Sequence, residues 1–554
     1  MSCVQQIVIL INKIRITICL LKKGAEIAMM EFDALKGEES VMTENGALGY
    51  KTTNDPLLDA SFKIPALRKI VCNNPTECDL WDGYFKEAFE DDPERTLRYI
   101  LYLRDIRGGL GERDIFRNLV INMVKYDEAL TYGVLSAGNI SKYGRWDDII
   151  EIAFSCNNKV ILDNAIKNIQ AQLNADIKNM HDEKAISLLA KWMPSENASS
   201  EITRRRARYI AKTLGITVSS YRKELSQLRK YLGVIERKMS LNKWDTIDYN
   251  AVPSKANLIY NKAFIKHDTE RRAEYLSNLQ ANTGNAKING GTLSPYEIIN
   301  KYLTHRGPKP VTELEALWKA LPKPKKQKNV LVVRDGSYSM YDYYNTVTDK
   351  VLPITIADAI TLYMSENNTG SYKNKFITFS KQPSIIDVST IGDDLYSRIK
   401  YLSRFNDYTN TNLEAVFKLV QDTIVNNNIS EEDIPDILII SDMEFDRAIG
   451  QYEKGDKAIA KLLNVIINNW RLATKCDPPK LIFWNVASRT NAIPVKENKN
   501  GVILVSGFSP YIANMVLDNE IDPSKALDNQ IYIDRYNEAK DILVNAGYII
   551  QRKC

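Results

Sequence analysis

The residues best suited to chemistry are a carboxylate and two hydroxyls that follow an apolar run. Asp335, Ser337 and Ser339 form the pattern DxSxS directly after Val330–Val333. Alternate residues of a loop can point the same way, so these three side chains could converge. Hard oxygen donors suit Mg²⁺, and also Ca²⁺ or Mn²⁺, rather than zinc or copper. We therefore expect a divalent cation, Mg²⁺ first, at this loop.

Two later segments offer further oxygen donors. Thr409 and Thr411 lie just before a predicted helix that opens at Leu413, and Asp442 follows the apolar run Ile437–Ile440. Loops at the carboxyl ends of parallel strands meet at one edge of a sheet, where ligands collect. The alternative interpretation is that these polar residues only cap turns and helix starts.

The chain around these residues alternates short apolar runs with helical stretches. The runs are Val330–Val333, Phe376–Phe379, Ile437–Ile440, Leu481–Val486 and Val502–Val505, and the helical stretches include Val351–Met364, Leu413–Val425 and Ala458–Trp470. This alternation is typical of a largely parallel sheet covered on both faces. The sequence therefore predicts a doubly wound α/β domain over residues 329–554.

Residues 43–306 follow a helical pattern instead. Apolar residues recur there at three- and four-residue spacing between turns, and strand-like alternation is scarce. Stacked antiparallel helix pairs explain this pattern, although it has no clean fixed-period repeat. Residues 307–328, a connector rich in Pro and Lys with one short helix, separate this all-α region from the α/β domain.

Residues 1–42 are set apart as an N-terminal extension. Val4–Leu21 is apolar, but Lys13 and Arg15 lie in its middle, and each central charge costs roughly 2.5–3.5 kcal/mol in a membrane. We therefore expect no stable membrane span. Either this segment packs on the body of the protein as a helix, or it precedes a later start at Met29 or Met30.

Composition narrows the class of protein. The 554 residues are 44% hydrophobic and 26% charged, as in soluble multidomain proteins, and the net charge of +5 permits nucleic-acid contact without arguing for it. Seven scattered cysteines without a CxxC pair indicate free thiols in the cytoplasm. Because Walker, HExxH and GxSxG motifs are missing from the sequence, we assign no catalytic residue and expect a non-catalytic protein.

A basic stretch is the best candidate for RNA contact. Its residues are Arg204, Arg205, Arg206, Arg208, Lys212, Arg222, Lys223, Arg229 and Lys230, and it extends to Arg237 and Lys238. Tyr209, Tyr221 and Tyr231 are interleaved. Cations neutralise phosphates, and tyrosine stacks on unpaired bases at about 1–3 kcal/mol each. Alternatively, the tyrosines pack inward while the cations coat a solvated helix face.

The glycine-rich turn Arg104–Arg113 also has two interpretations. Its backbone amides could bind a phosphate at the start of the next helix. Alternatively, Asp105 and Glu112 pair with neighbouring arginines and fix a corner, which is the interpretation we favour. We interpret Trp192 and the tryptophans of other turns as anchors between helices rather than as base-stacking platforms.

The order of several segments resembles a known family. The segments are Thr43–Tyr50, Arg104–Arg113, Tyr143–Asp148, Lys191–Glu196 and Trp244–Tyr249, followed by the DxSxS domain. Together they are similar to an uncharacterised family of plants, fungi and large DNA viruses, distantly related to the TROVE module of the Ro ribonucleoprotein autoantigen. The resemblance covers residues from about 43 to the C-terminus. It implies HEAT-like helical repeats that hold RNA, closed by a von Willebrand factor type A domain.

The resemblance implies roles for the oxygen donors. In the metal-ion-dependent adhesion site (MIDAS) of type A domains, Ser337 and Ser339 would ligate directly, while Asp335 and Asp442 would act largely through waters.

The same resemblance assigns the second loop of the site. Thr411 matches its threonine, with Thr409 as a rival. The family usually has a small residue where this chain has Tyr338, which would either cover the metal or face solvent.

Taken together, the sequence predicts a non-catalytic, RNA-binding scaffold of ribonucleoprotein type. Its metal would bind a ligand, with an acidic protein as a candidate partner. The alternative is a metal-dependent protein-interaction adaptor that binds no RNA. Richness in Asn, Ile and Lys fits an AT-rich genome and loosely indicates a viral source.

Overall fold

The computed structural model describes twelve parts of the chain. They are residues 40–42, 48–73, 78–307, 309–325, 328–341, 351–380, 382–405, 412–443, 459–487, 493, 501–517 and 520–548. Most of the N-terminal extension lies outside these parts, as do residues 43–47 of the segment Thr43–Tyr50. Strands β1 (Ser40–Met42) and β2 (Leu48–Tyr50) form an antiparallel pair before the first helices.

Helices make up the described chain between residues 56 and 304. They are α1 (Pro56–Phe62), α2 (Ile64–Asn73), α3 (Lys86–Asp91), α4 (Pro93–Arg104), α5 (Arg113–Met123), α6 (Glu128–Val134), α7 (Ala137–Tyr143), α8 (Trp146–Ser155), α9 (Lys159–His181), α10 (Leu189–Trp192), α11 (Glu201–Thr213), α12 (Val218–Tyr231), α13 (Ile235–Ser240), α14 (Ser254–His267), α15 (Thr269–Ala281) and α16 (Pro295–Thr304). Side chains at the helix starts suit the free backbone groups there. At the start of α4, Asp92 accepts a hydrogen bond from the amide of Arg95, and Pro93 occupies the first position, where a helix needs no backbone donor.

A mixed sheet and its helices follow. The strands are β3 (Val330–Asp335), β4 (Lys375–Phe379), β5 (Ile385–Asp387), β6 (Asp436–Ser441), β7 (Leu481–Asn485) and β8 (Val502–Ser506). The helices are α17 (Thr312–Lys319), α18 (Pro353–Glu366), α19 (Leu395–Leu402), α20 (Leu413–Asn426), α21 (Ile459–Thr474), α22 (Ala513–Val516), α23 (Pro523–Ile531) and α24 (Glu538–Asn545). The chain is therefore a helix-rich N-terminal region followed by an α/β region.

The strand order places a switch point at the centre of the sheet. The described strands form a six-stranded sheet in the order β5-β4-β3-β6-β7-β8, with β5 antiparallel to β4 and every other pair parallel. From β3 the chain runs outward to β4 and β5, then crosses back to β6 on the other side of β3. Ligands of open α/β sheets bind at such a point, outside the carboxyl ends of the strands.

Burial on both faces explains the composition of this sheet. Every residue of β3, β6, β7 and β8 is buried, as the unbroken apolar runs of parallel strands require. Helix α18 is buried on nearly all sides because it packs on β3 and also against α16 of the helical region. The two regions therefore share one contiguous hydrophobic core.

The chain after β8 returns to the helical region. Helix α24 packs on α4 and α6, and α23 packs on α4. The Arg535 guanidinium donates to both carboxylate oxygens of buried Asp105, one of them at 2.8 Å, and the Tyr143 hydroxyl donates to Glu538 at 2.5 Å. These contacts join residues that are 395 and 430 positions apart in the chain.

A second, smaller core lies apart from the main one. Its buried members include Tyr249, Phe264 and Tyr275, and we call residues 235–286 the satellite lobe. The buried guanidinium of Arg272 lies 4.9–5.2 Å from the centres of these three rings. Within the described parts of the chain, no helix has both the length and the apolarity to cross a bilayer.

Candidate metal centre and basic groove

The DxSxS loop and the loop after β6 meet at the switch point. Asp335, the last residue of β3, accepts from the amide of Ser337 at 2.9 Å and from the hydroxyl of Ser441 at 2.5 Å. Ser441 in turn accepts from the amide of Met443 at 3.0 Å. Met443 has a left-handed backbone with φ of 62°, a conformation that costs energy and is often found at functional sites. The Asp335 carboxylate therefore ties the two loops together.

The two serine hydroxyls of the loop have the spacing of neighbouring metal ligands. Ser337 Oγ and Ser339 Oγ are 3.0 Å apart, within hydrogen-bond distance. Octahedral Mg²⁺ binds oxygens at about 2.0–2.1 Å, which puts adjacent ligands about 2.9 Å apart. A Mg²⁺ ion could therefore take both hydroxyls with little movement of the loop.

Two buried carboxyl groups end the strands beside this loop. Asp335 and Asp442 are each 1% exposed. Burial raises the pKa of Asp335, because a carboxylate charge is costly to hold away from water. A divalent cation on Ser337 and Ser339 would supply the missing opposite charge.

The donor set fits a hard, partly hydrated cation rather than a carboxylate cage. Among the residues that the structure describes, no three His, Cys, Asp or Glu side chains form a ligand cluster. Asp335, Ser337 and Ser339 come together at one edge of the sheet, and Asp442 follows Ser441, whose hydroxyl bonds Asp335. Thr411 and Thr409 lie outside the described residues. The ring of Tyr338 is 72% exposed, so it faces solvent.

A large groove in the helical region is lined by basic side chains. Its volume is about 1880 Å³. The basic groove, as we name it, contains the cations Arg107, Arg145, Lys191, Arg222, Lys223, Arg229, Arg237 and Lys255. Glu236 is the one acidic residue in this lining, and it lies 3.7 Å from Lys191. The lining therefore carries more positive than negative charge, while Arg145 and Lys255 also pair with Asp147 and Glu297 outside it.

The walls of the basic groove also present apolar surface. Leu188, Leu241 and Ile259 line it and are about half exposed, Ile259 at 53%. Half-buried Trp192 lines it too, with the guanidinium of Arg145 4.2 Å from the ring centre. Exposed apolar side chains beside cations fit a ligand that has both charged and flat apolar parts.

The predicted basic stretch divides between the groove and other surfaces. Arg222, Lys223 and Arg229 line the groove, and Arg237 joins them. The remaining candidates, Arg204, Arg205, Arg206, Arg208, Lys212 and Lys230, are not part of its lining. The Arg229 guanidinium donates to the carbonyls of Ala190 and Met193 at 2.8 Å each, so its role includes fixing the groove wall.

The cations outside the groove have protein partners or face solvent. Arg204 donates to the carbonyls of Ala198 and Ser199, and Arg206 pairs with Glu151. The other four are exposed; of these, Arg205 pairs with Glu201 at 2.5 Å and Arg208 lies 3.6 Å from Glu196.

The interleaved tyrosines pack against the protein. Tyr221 is buried and donates to the carbonyl of Pro194 at 2.8 Å. Tyr209 meets Phe154 edge-on, and Tyr231 donates to the carbonyl of Lys184. Tyr221 therefore packs inward as the alternative interpretation expects, whereas Tyr209 and Tyr231 are 40% and 41% exposed.

The glycine-rich turn is a corner held by distant arginines. Glu112 pairs with Arg68, and Asp105 pairs with Arg535, so the partners are not the arginines beside them in sequence. The amides of Gly109, Leu110 and Glu112 donate to carbonyls of residues 102–105. These amides are therefore engaged within the protein.

Sequence reasoning missed half of the groove cations. Arg107, Arg145, Lys191 and Lys255 were not among the predicted contacts, because they lie in separate segments that only the fold brings together. Ser441 was not among the predicted site residues, although its hydroxyl donates to Asp335. A serine at the end of a strand was the available signal.

Comparisons with known proteins place the chain near two families. A family model described as domain of unknown function DUF2828 matches residues 161–334, and one described as DUF7788 matches residues 329–544. The chain is also 26% identical over 516 residues to an uncharacterized protein of Acanthamoeba polyphaga mimivirus, covering 86% of this chain and 84% of that protein. The similarity to a viral protein agrees with the viral relation predicted from the sequence.

Proposed function

We propose that the protein is a non-catalytic scaffold that binds RNA in its basic groove. The observation that carries this proposal is the lining of eight cations against one acidic residue, Glu236, which is itself close to Lys191. Cations that neutralise backbone phosphates supply most of the sequence-independent affinity for nucleic acids.

The size and walls of the groove favour a single-stranded polymer. Its volume of about 1880 Å³ exceeds the roughly 300–1,000 Å³ of small-molecule sites. Leu188, Trp192 and Ile259 offer surface to unpaired bases, which a duplex would keep stacked inside. RNA with unpaired segments meets both conditions.

We further propose that the helical region is a HEAT-like, TROVE-like module and the α/β region a von Willebrand factor type A-like domain with a MIDAS-type cation. The strand order, the position of DxSxS at the switch point and the 3.0 Å spacing of Ser337 Oγ and Ser339 Oγ support this assignment. The bound Mg²⁺ would supply a positive centre with open positions for an oxygen ligand.

The RNA proposal is tested by charge reversal inside and outside the groove. Arg222→Glu/Lys223→Glu changes two exposed groove cations, and Arg205→Glu/Arg208→Glu changes two exposed cations elsewhere as the matched control. In filter binding with an unstructured oligouridylate, we expect the groove variant to lose at least about tenfold in affinity and the control to keep most of it. Equal losses in both variants, or none in the groove variant, would reject the proposal.

A second candidate is a metal-dependent protein-interaction adaptor, favoured by the spacing of the two serine hydroxyls. It predicts that an acidic peptide binds in Mg²⁺, is released by EDTA and fails to bind Ser337→Ala. That result together with no RNA binding would replace the first proposal.

A further inference from the structure

A second cavity adjoins the basic groove at the junction of the two regions. Its volume is about 280 Å³, near the lower end of the roughly 300–1,000 Å³ of small-molecule sites. Arg145 and Lys255 line both this side cavity and the groove. Its far wall comes from residues 508–511, which follow β8 of the α/β region.

Three aromatic rings line the side cavity. Tyr296 and Phe508 meet edge-on with ring centres 5.6 Å apart, and Arg68 covers Phe508 at 4.2 Å from its centre. Tyr511 is half-buried and held at one end, where its hydroxyl donates to the carbonyl of Gly291 at 3.4 Å. A flat ring such as a nucleobase would stack against surfaces of this kind.

The lining carries more positive than negative charge. It contains the five cations Arg68, Arg104, Arg113, Arg145 and Lys255, and the three acids Glu112, Asp114 and Glu297. Two of these cations pair with acids just outside the lining, Arg104 with Asp148 and Arg145 with Asp147. A phosphate monoester, which carries about −1.5 to −2 at neutral pH, would therefore bind in exchange for a carboxylate partner.

Two of these cations can turn towards a ligand. Arg113 pairs with Asp114 at 2.8 Å but is 46% exposed, and exposed Lys255 pairs with Glu297. Exposed ion pairs are weak, so an anion can compete for either cation. The amides of Gly109, Leu110 and Glu112 already donate to protein carbonyls, so we assign phosphate recognition to these two side chains.

We propose that the side cavity binds one nucleotide, its base on Tyr511 and Tyr296 and its phosphate at Arg113 and Lys255. The nucleotide is either the phosphorylated end of a strand lying in the basic groove, which rests on the proposed function, or a free nucleoside monophosphate. Both have the same base and phosphate chemistry.

Calorimetry with the full chain tests the site. We expect adenosine 5′-monophosphate to bind, and adenosine to bind about tenfold more weakly or worse, as the loss of a charge-assisted hydrogen bond implies. Arg113→Gln should weaken binding of the monophosphate by about tenfold. The matched control Arg205→Gln, an exposed arginine outside both the groove and the cavity, should leave its affinity unchanged.

The aromatic contact has its own variant. Tyr511→Leu should weaken binding of both adenosine 5′-monophosphate and adenosine. Tyr532→Leu, which changes an exposed tyrosine outside the cavity, should weaken binding of neither. If Tyr511→Leu fails to fold, exposed Arg113→Gln still decides the question.

Oligoadenylates with a 5′-phosphate or a 5′-hydroxyl separate the two sources. Tighter binding of the phosphorylated strand, lost in Arg113→Gln, identifies the strand end as the ligand. Binding of the monophosphate with no difference between the strands identifies the free nucleotide. Absence of monophosphate binding with no difference between the strands overturns the inference. If the monophosphate binds and neither strand does, the proposed function is wrong, and the side cavity is a site for a free nucleotide.

Discussion

The candidate metal centre depends on the positions of a few side-chain oxygen atoms. The hydroxyls of Ser337 and Ser339 lie at the spacing of two metal ligands, and Asp335 is held between the Ser337 amide and the Ser441 hydroxyl. In the proposed site, the two hydroxyls would contact the cation directly, and the Asp335 carboxylate would hold the loop in place.

Removal of one hydroxyl should therefore weaken metal binding. Tb³⁺ substitutes for hard cations, and nearby Tyr338 should sensitise its luminescence. We expect Ser337→Ala to lower the apparent affinity for Tb³⁺ by at least about tenfold, and Mg²⁺ to displace Tb³⁺ from the unmodified protein. The matched control Ser389→Ala changes an exposed serine elsewhere in the α/β region. Identical titration curves for the two variants would contradict the assignment.

Helix α17 anchors the satellite lobe through a buried carboxyl group. Glu313 lies 4.0 Å from Arg272, and both side chains are buried. Burial raises the pKa of Glu313 to about 8, because the charged form loses its hydration there. The folded protein therefore keeps a proton on Glu313 that the unfolded chain releases near its ordinary pKa of 4.5.

This proton makes stability depend on pH in a definite direction. The contribution of protonated Glu313 is complete below its ordinary pKa and is lost as pH rises through about 8. Glu313→Gln, which mimics the protonated carboxyl, should reduce the fall in melting temperature between mildly acidic and alkaline pH. Melting curves across this range measure it. An unchanged pH dependence in the variant would show that Glu313 is charged in the folded protein.

Local periodicity was enough to predict most elements of the α/β region. The apolar runs at residues 330–333, 437–440 and 502–505 each became a strand extended by one or two residues. Edge strand β5 was missed, because its three residues are only half-buried and carry no apolar run. The positions of Asp335 and Asp442 followed from the strand ends alone, since parallel strands bring their carboxyl ends to one edge.

Contacts between segments far apart in the chain could not be predicted from the sequence. The basic groove gathers cations from segments between residues 107 and 255, whereas local charge density pointed to residues 204–230, of which Arg222, Lys223 and Arg229 line the groove. Nothing in the local sequence indicates that Asp105 meets Arg535. Such contacts depend on the path of the whole chain.

At the scale of the molecule, the C-terminal helices lock the two regions together. Asp105 is fully buried and accepts from the Arg535 guanidinium and, at 3.0 Å, from the Tyr536 hydroxyl. Loss of the guanidinium would leave a buried carboxylate short of its main charged partner.

Arg535→Ala should therefore lower the free energy of unfolding of the whole protein by at least about 1–3 kcal/mol. Arg471→Ala removes an exposed ion pair with Asp477 and should cost only about 0–1 kcal/mol. Urea unfolding of both variants gives the comparison. Equal stability would mean that Arg535 contributes nothing beyond a surface pair.

The central claim is that phosphates lie against the basic groove, and the salt dependence of RNA binding tests it most directly. For a single strand, the logarithm of the binding constant should fall with the logarithm of salt concentration by about 0.7 per neutralised phosphate. We predict a steep slope for the unmodified protein, a shallower one for Arg222→Glu/Lys223→Glu and an unchanged one for Arg205→Glu/Arg208→Glu. RNA binding that is absent, insensitive to salt or equally altered in both variants would contradict the account.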